Sequence, residues 1–375
     1  MRIRIRASIL KAFLEKADLV ANVEGLKNEH QAFYIGWATN RPVVVRTNLS
    51  QYIVVYLNPD CIDVENDSSP LECLVNAEKL LSLVKKFSSD ADVILEIMKD
   101  KPKLQIKCNN FIGRLTTFQV ERFGKIPEAV VNKTKWTKVE TRLFCEAVLQ
   151  VQHAAPPQGY HEQFMHVVFR DKRCWVADSR QLHGVHFDSD VVLVLPLDAV
   201  SVTEFLRLSA SESFNLGEDE EHYYFQVGDD IYITRKGNLA IEDKWTEYLN
   251  FLQQGRQLSF NIDVEVFRNA VERVSVTADE RDQAITILCN VPQNCLYLKA
   301  TDEMKNESVE KLSVHFEVGS KLKDEEYTRM IWWEFLTEAV SAMGVKQISI
   351  RIDKSHIVFM SEHGTAICPF LSGKK

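Results

Sequence analysis

Three alternating segments close the chain: Ile348-Ser-Ile-Arg-Ile352, Ile357-Val-Phe-Met360 and Thr365-Ala-Ile-Cys-Pro-Phe370. Turn-forming residues, Asp353-Lys-Ser355 and Ser361-Glu-His-Gly364, divide them. Period-2 alternation broken by short polar turns predicts an antiparallel meander. The layout occurs twice more. One copy is Val93-Ile-Leu-Glu-Ile-Met98, Lys103-Leu-Gln-Ile-Lys107 and Gly113-Arg-Leu-Thr-Thr-Phe118. The other is Ser213-Phe-Asn-Leu216, Tyr223-Tyr-Phe-Gln-Val227 and Asp230-Ile-Tyr-Ile-Thr234. An amphipathic helix precedes each: Ala77-Glu-Lys-Leu-Leu-Ser-Leu-Val84, Val200-Ser-Val-Thr-Glu-Phe-Leu206 and Trp332-Trp-Glu-Phe-Leu-Thr-Glu-Ala-Val340.

An earlier helix belongs to each copy. The segment from Ser8 to about Val20 sets Ile9, Leu10, Phe13 and Leu14 at helical spacing. Glu140 to Val151 does so with Leu143, Phe144, Ala147, Val148 and Val151, and Asp263 to Val274 with Val266, Phe267, Ala270, Val271 and Val274. First helices begin near 8, 140 and 263 and second helices near 76, 197 and 331, which agrees on a unit of roughly 125 residues. The expected class is α+β, with two helices packed on antiparallel sheet in each of three units. The unit boundaries are 1–128, 129–254 and 255–375. The polar, Pro-containing stretch from Lys125-Ile-Pro-Glu128 to Lys135 links the first two, and Gln253-Gln-Gly-Arg256 links the last two. The tail Ser372-Gly-Lys-Lys375 reads as frayed, and Glu218-Asp-Glu-Glu221 reads as a solvated hairpin turn.

The 375 residues are 45% hydrophobic, enough for two to four buried cores, and 26% charged. A net charge of -8 excludes a protein that coats nucleic acid by bulk charge, though not one basic on a single surface. No apolar run approaches the ~20 residues of a membrane helix, and Met1-Arg-Ile-Arg-Ile-Arg6 opens no secretory signal. Eight scattered cysteines without a C-x-x-C pair read as reduced thiols of a cytoplasmic protein.

The repeated unit and several segments resemble the bacterial sliding clamp, the beta subunit of DNA polymerase III. In unit one, Val44-Val-Arg-Thr-Asn-Leu-Ser50 followed by Tyr52-Ile-Val-Val55 resembles the family's strand, Thr-Asp-Leu-type turn and strand. Leu115-Thr-Thr-Phe118 and Phe123-Gly-Lys-Ile-Pro127 resemble its strand and proline exit. Arg273-Val-Ser-Val-Thr-Ala-Asp-Glu-Arg281 and Ala366-Ile-Cys-Pro-Phe-Leu371 are similar to its unit-three helix end and hydrophobic-Pro-hydrophobic terminus. The family's Thr-Asp-Gly-His-Arg-Leu segment falls on Ala177-Asp-Ser-Arg-Gln-Leu182, where Asp178 and Leu182 remain and Arg180 replaces the histidine. This suggests a divergent clamp, such as a phage or mobile element would encode.

The resemblance implies a DNA sliding clamp (processivity factor) that encircles duplex DNA non-specifically, with no catalysis and no cofactor. It implies a homodimer ring of six units, closed between unit one and unit three, with Gly113 to Phe118 and Arg273 to Val276 as candidate edges. DNA-facing candidates on the helices are Lys11, Lys16, Lys85, Lys86, Arg142, Arg207, Arg268 and Arg273. The six helices nevertheless carry nine Lys and Arg against twelve Asp and Glu. The implied groove for clamp-binding peptides of a DNA polymerase and clamp loader uses Ala177, Ser179, Leu182, Asn250, Phe251, Ala366, Cys368, Pro369, Phe370 and Leu371. The acidic helix balance leaves an alternative, a clamp-fold interaction scaffold that no longer encircles DNA.

Other signals point to no chemistry. His161-Glu-Gln-Phe-Met-His166 spaces its histidines five apart, whereas a zinc helix needs four, and it runs into Val167-Val-Phe169, as a loop entering a strand does. A hydrolase there would need bound metal, and none is expected. The chain has no phosphate-binding G-x-x-x-x-G-K-[ST] loop, no G-x-S-x-G elbow and no dinucleotide fingerprint. Trp332-Trp333 reads as core under the last sheet rather than as a base-stacking platform.

Overall fold

The computed structural model describes residues 2–20, 31–38, 41–65, 72–98, 102–123, 135–155, 165–178, 181–237, 258–279, 281, 283–318, 326–353 and 355–371. Its first round of elements is β1 (Arg2–Arg6), α1 (Ala7–Ala17), β2 (Ala32–Ala38), β3 (Arg41–Thr47), β4 (Gln51–Tyr56), β5 (Ile62–Glu65), β6 (Cys73–Asn76), α2 (Ala77–Val84), β7 (Asp92–Ile97), β8 (Lys103–Cys108) and β9 (Phe111–Phe118). The second is β10 (Thr137–Glu140), α3 (Thr141–Val151), β11 (His166–Arg170), β12 (Arg173–Ala177), β13 (Leu182–His186), β14 (Leu193–Pro196), α4 (Val202–Leu208), β15 (Ser213–Glu218), β16 (His222–Val227) and β17 (Asp230–Arg235). The third is β18 (Leu258–Asp263), α5 (Val264–Ser275), β19 (Ala284–Asn290), β20 (Cys295–Thr301), β21 (Glu307–Ser313), β22 (Glu317–Val318), β23 (Glu326–Trp332), α6 (Trp333–Ala342), β24 (Gln347–Ile352), β25 (His356–Met360) and β26 (Gly364–Pro369).

The chain divides into two compact units, residues 1–145 with 198–236, and residues 146–197 with 237–375. This division follows the sheets. In the first unit a 13-stranded sheet runs β10-β15-β16-β17-β4-β3-β2-β6-β9-β8-β7-β1-β5. In the second a nine-stranded sheet runs β14-β11-β12-β13-β26-β25-β24-β18-β22, beside a four-stranded sheet β21-β20-β19-β23. Long-range antiparallel joins hold each large sheet together. Ile231 pairs with Val54 and Tyr232 with Ile53 where β17 meets β4. Leu182 pairs with Ile367 and His183 with Ala366 where β13 meets β26.

Helix limits follow from local chemistry. The Asn76 side chain accepts the Lys79 N–H at 2.9 Å and caps α2, and Asp263 accepts the Val266 N–H at 3.0 Å and caps α5. The first helix stops at Ala17, earlier than its apolar pattern suggests, and Asp18 N–H closes it on the Leu14 carbonyl. Its buried stripe is Ala7, Leu10, Phe13, Leu14 and Ala17. Before α4 the chain takes a 3-10 turn over Leu197–Ser201, so the helix starts two residues later than Val200. Trp332 ends β23 and stacks edge-on to Phe335 at 5.2 Å, and Trp333 packs on the core of the second unit. No disulfide forms, and every cysteine except Cys61 is buried.

In the first unit Phe144, Phe214, Phe225 and Tyr232 form an aromatic core with ring separations of 5.2 to 6.1 Å. Phe225 is fully buried in the middle of it. Phe225→Ala should lower unfolding free energy by about 3–5 kcal/mol, through lost burial plus a cavity. Leu149→Ala, at an exposed position, should stay within about 0.5 kcal/mol of the parent. Denaturant midpoints of the two variants check the contrast.

Candidate functional site

The cations proposed on the helices sort by what they touch. Lys11 and Lys86 are exposed, and neither has an ion-pair partner among the described residues. Arg142 is exposed at the start of α3. Lys85 lies 3.4 Å from Glu15, Arg207 3.5 Å from Glu204 and Arg268 3.7 Å from Glu272. Arg273 makes a two-pronged contact with Glu310 of β21, at 2.8 and 3.2 Å. Exposed pairs of this kind contribute about 0–1 kcal/mol, so they reduce local positive charge without fixing it.

Lys16 is different. Its ammonium lies 2.6 Å from the Asp230 carboxylate and 4.9 Å from the Phe205 ring centroid, with the side chain only 13% exposed. The other Asp230 oxygen accepts the Tyr56 N–H at 2.8 Å. Lys16 is therefore a structural link from α1 to β17 and not a solvent-facing cation. A further lysine, Lys79, is exposed in the first turn of α2. Reading α2 as an amphipathic helix could have found it, because the apolar stripe Leu80, Leu81 and Val84 leaves it on the wet side.

The residues proposed for the peptide groove fall on two faces of one sheet. Ala177 pairs with Leu182 across the β12–β13 hairpin, and Leu182 pairs with Ile367. These three share an apolar cluster with Val168, Trp175, Val194 and Val358. Ala366 and Cys368 belong instead to the core that holds α5 and α6, where both are fully buried. They face the side of the sheet opposite Leu182 and Ile367, because neighbours along a strand point to opposite faces. Pro369, Phe370 and Leu371 are half-buried. Phe370 N–H bonds the Ser355 carbonyl at 2.8 Å, and Leu371 N–H bonds the Met330 carbonyl at 2.8 Å. Ser179, Asn250 and Phe251 lie outside the described residues, as do His161 and Glu162. His166 begins β11. No group of three metal-ligating side chains occurs among the described residues.

One polar cluster has no precedent in the sequence reading. A cleft of about 560 Å3 opens between α3 and α6, lined by Glu146, Gln150, His153, Glu338 and Ser341 among others. Behind it His153 Nε2 lies 2.7 Å from His183 Nδ1. His183 Nε2 lies 3.2 Å from Gln181 Oε1. Burial pushes the His183 pKa well below its usual value, with His153 adding to the effect, and burial lowers His153 too. The Glu338 carboxyl is shifted the other way, raised first by burial and then by Glu334 and Asp178, against a hydrogen bond from Gln181. No sequence motif announces this cluster. His153 lies in the 3-10 turn Gln152–Ala154 that follows α3, and His183 lies in β13.

No protein-family model matches the sequence, and no curated protein matches it. Solved structures do. The DNA polymerase sliding clamp of Caulobacter crescentus superposes with a TM-score of 0.86 at 15% identity, covering 100% of both chains. The DNA polymerase III beta subunit of Thermotoga maritima gives 0.83 at 15% over 100% of both. The beta subunit of Pseudomonas aeruginosa gives 0.82 at 14%, covering 99% of this chain and 100% of that one. At such identity the likeness establishes architecture. The chain has the sliding-clamp fold, and specifically that of bacterial DNA polymerase III beta subunits, from end to end. No described helix is long and apolar enough to cross a membrane.

The histidine pair fixes the sign of a pH effect. Both rings have folded pKa values below those of the unfolded chain, so the unfolded state binds more protons below about pH 6.5. Stability contributed by neutral histidines is present above that pH and falls away on acidification toward their lowered folded values. Glu338 acts oppositely, losing its contribution as pH rises above the ordinary carboxylate range. Burial lowers His356 as well, so three histidines act against one carboxyl and the urea midpoint should fall between pH 7 and pH 5.5. Replacing His153 and His183 together by glutamine should flatten that slope.

Proposed function

We propose that this chain is a DNA sliding clamp, a non-enzymatic processivity factor that encircles duplex DNA as a head-to-tail homodimer. It would tether a DNA polymerase, and meet a clamp loader, through short clamp-binding peptides. Three modules, 1–128, 129–254 and 255–375, would make up each protomer. The observation that carries this reading is a rule of strand pairing. The last strand of the middle module, β17, pairs with β4, the third strand after α1. The last strand of the third module, β26, pairs with β13, the third strand after α3. By the same rule β9, the last strand of the first module, is owed β21, the third strand after α5.

Both strands have an open edge. Over Phe111–Thr116, β9 pairs with β8 alone among the described residues, and β21 pairs with β20 alone. Phe111, Ile112 and Val309 expose 41%, 56% and 51% of their surface on these strands. Open apolar edges invite pairing with another chain. Two copies joined β9 to β21 twice would satisfy both edges in a closed dimer.

Retention by encirclement needs only weak, non-specific phosphate contacts, which lets the protein slide. Lys11, Lys85, Lys86, Arg142, Arg207, Arg268 and Arg273 are the helix cations proposed to supply them. For partner peptides, Ala177, Ser179, Leu182, Asn250, Phe251, Pro369, Phe370 and Leu371 remain the proposed groove. An extended peptide gains roughly 1.5–3 kcal/mol for each apolar side chain it buries there, before ordering costs. The second reading, a scaffold that does not encircle DNA, is favoured by the acidic balance of the helices.

Retention on DNA separates the two readings. The protein, loaded by a clamp loader, should remain on nicked circular DNA and slip off once that DNA is linearised. Equal retention on both forms would overturn the clamp. Ile112→Asp should convert a dimer of the 43.1 kDa chain to monomer in light scattering. A wild-type protein that is already monomeric at micromolar concentration would favour the scaffold. Replacing Lys11 and Lys86 by glutamine should reduce the salt dependence of DNA binding by about one to two phosphate contacts.

A further inference from the structure

The two long-range joins within the chain carry a register that can be counted onto β9 and β21. Three hairpins deliver the receiving strand of each module, and they close alike. In β3–β4 the Asn48 N–H bonds the Gln51 carbonyl at 3.2 Å, in β12–β13 the Asp178 N–H bonds the Gln181 carbonyl at 2.9 Å, and in β20–β21 the Asp302 N–H bonds the Asn306 carbonyl at 3.1 Å. In each, the side-chain oxygen of the first residue also accepts the N–H of the last, at 2.8, 2.6 and 2.8 Å. Tyr52, Leu182 and Glu307, the next residues along, are therefore equivalent. The last strands begin alike too. A two-residue turn is closed by Asp230 opposite Val227, by Phe111 opposite Cys108, and by Gly364, whose carbonyl accepts the Ser361 N–H at 2.9 Å.

Both joins give the same count from these fixed points. The third residue after the turn-closing one meets the first of the receiving strand, Ile233 on Tyr52 and Ile367 on Leu182. In β9 that third residue is Arg114, and its counterpart in β21 is Glu307. The same count sets Ile112 opposite Val309, as Ile231 is set opposite Val54 and Thr365 opposite Gly184. The side chains agree with a count that made no use of them. Ile112, Arg114, Glu307 and Val309 are all exposed. Gly113 and Ser308 fall opposite each other on the other face, where Phe111 packs on Phe87 at 5.5 Å and the Ser308 hydroxyl donates to the Val274 carbonyl at 3.0 Å. A slip of one residue would set the exposed residues of one strand against the helix-side residues of the other. A slip of two would place Ile112 on Lys311 with Arg114 on Val309, or Ile112 on Glu307 with Arg114 on Lys305.

We propose that two copies of this chain meet in this one register, with Arg114 ion-paired to Glu307 of the partner subunit and Ile112 packed on the partner's Val309 at both junctions. The proposal rests on the encircling dimer and adds to it the pairs that select the second copy and fix its alignment. Arg114 Nε bonds Gln105 Oε1 at 3.1 Å, and the guanidinium carries further N–H donors for a carboxylate. Gln105 Nε2 in turn bonds Glu96 at 3.2 Å. On β21, Glu307 lies 2.7 Å from Lys299. The line Glu96, Gln105, Arg114 would thus run across the junction to a Glu307–Lys299 pair, with charges alternating in sign along it. Such an exposed pair adds little affinity, and its role is discrimination. Either two-residue slip loses it, and one of them sets Arg114 against a lysine. The burial of Ile112 and Val309 against each other supplies the attraction.

Cysteine cross-linking of the full-length protein tests the register, in a Cys61→Ser background that removes the exposed thiol. Directly opposed positions can close a disulfide, whereas a two-residue offset holds the sulfurs too far apart. Under mild oxidation, Ile112→Cys with Val309→Cys, and Arg114→Cys with Glu307→Cys, should give covalent dimers on a non-reducing denaturing gel. Ile112→Cys with Lys311→Cys, and Ile112→Cys with Glu307→Cys, should link several-fold more slowly. In the uncross-linked protein, Arg114→Glu should raise the dimer dissociation constant roughly tenfold, since each ring carries the pair twice. Adding Glu307→Lys should recover most of that loss. Faster linking of an offset pair, or a double charge variant no tighter than Arg114→Glu alone, would overturn the register while leaving the dimer standing. So would a wild-type dimer in which no cysteine pair links. A wild-type protein that is monomeric at micromolar concentration would overturn the register and the encircling dimer together.

Discussion

A β-strand satisfies its backbone only when both edges are paired or wetted, and this constraint organises the molecule. On the three-module reading, the last strands of the second and third modules meet a third strand of the preceding module. The β17–β4 and β13–β26 joins are therefore more than contacts between finished domains. They extend sheets through module boundaries, to 13 strands in one unit and nine in the other. That is why compact units and sequence repeats divide the chain differently. The middle segment contributes β15 to β17 to one sheet and β11 to β14 to the other. A pattern of residues shows the period of the chain, but a strand belongs to the sheet that completes its hydrogen bonds.

Much of the architecture was legible because two periodicities alternate along the chain. Ile348, Ile350 and Ile352 face one way in β24 and are buried, as period-2 spacing demands. In α5, Phe267, Ala270, Val271 and Val274 form the buried stripe that 3.6-residue spacing predicts. What spacing could not give was the end of α1, where a turn closes at Asp18 although apolar residues continue to Val20, and the 3-10 lead into α4. Both are decided by local backbone geometry, and apolar residues beyond the helix are buried by loops as readily as by helices.

The site was less legible, for a reason visible in Lys16. On a helical wheel it is a cation beside an apolar stripe, indistinguishable from Lys11. Only the approach of Asp230, 214 residues later, turns it into an internal link. Ala366 and Cys368 were misplaced by treating a run of terminal residues as one surface, when strand alternation sends them to the face opposite Ile367. The His153–His183 contact carries no signature at all, since neither spacing nor neighbouring residues marks the two rings as partners.

On the clamp reading, these observations account for a helix set with more acids than bases. Affinity that depends on phosphate contacts is lost steeply as salt rises, so a protein that holds DNA by charge must keep its cations. A closed chain of strands holds DNA by topology, and its retention is set by how rarely a ring edge opens. The residues under the tightest physical demand are then those of β9 and β21, where an unpaired backbone or a buried charge would break closure outright. Helix cations, by contrast, can take on acidic neighbours such as Glu15, Glu204 and Glu272, because each exposed pair is worth only about 0–1 kcal/mol. On that reading sequence can drift far on the helix faces while the pairing order persists, and the fold is kept here at a whole-chain TM-score of 0.86 with 15% identity.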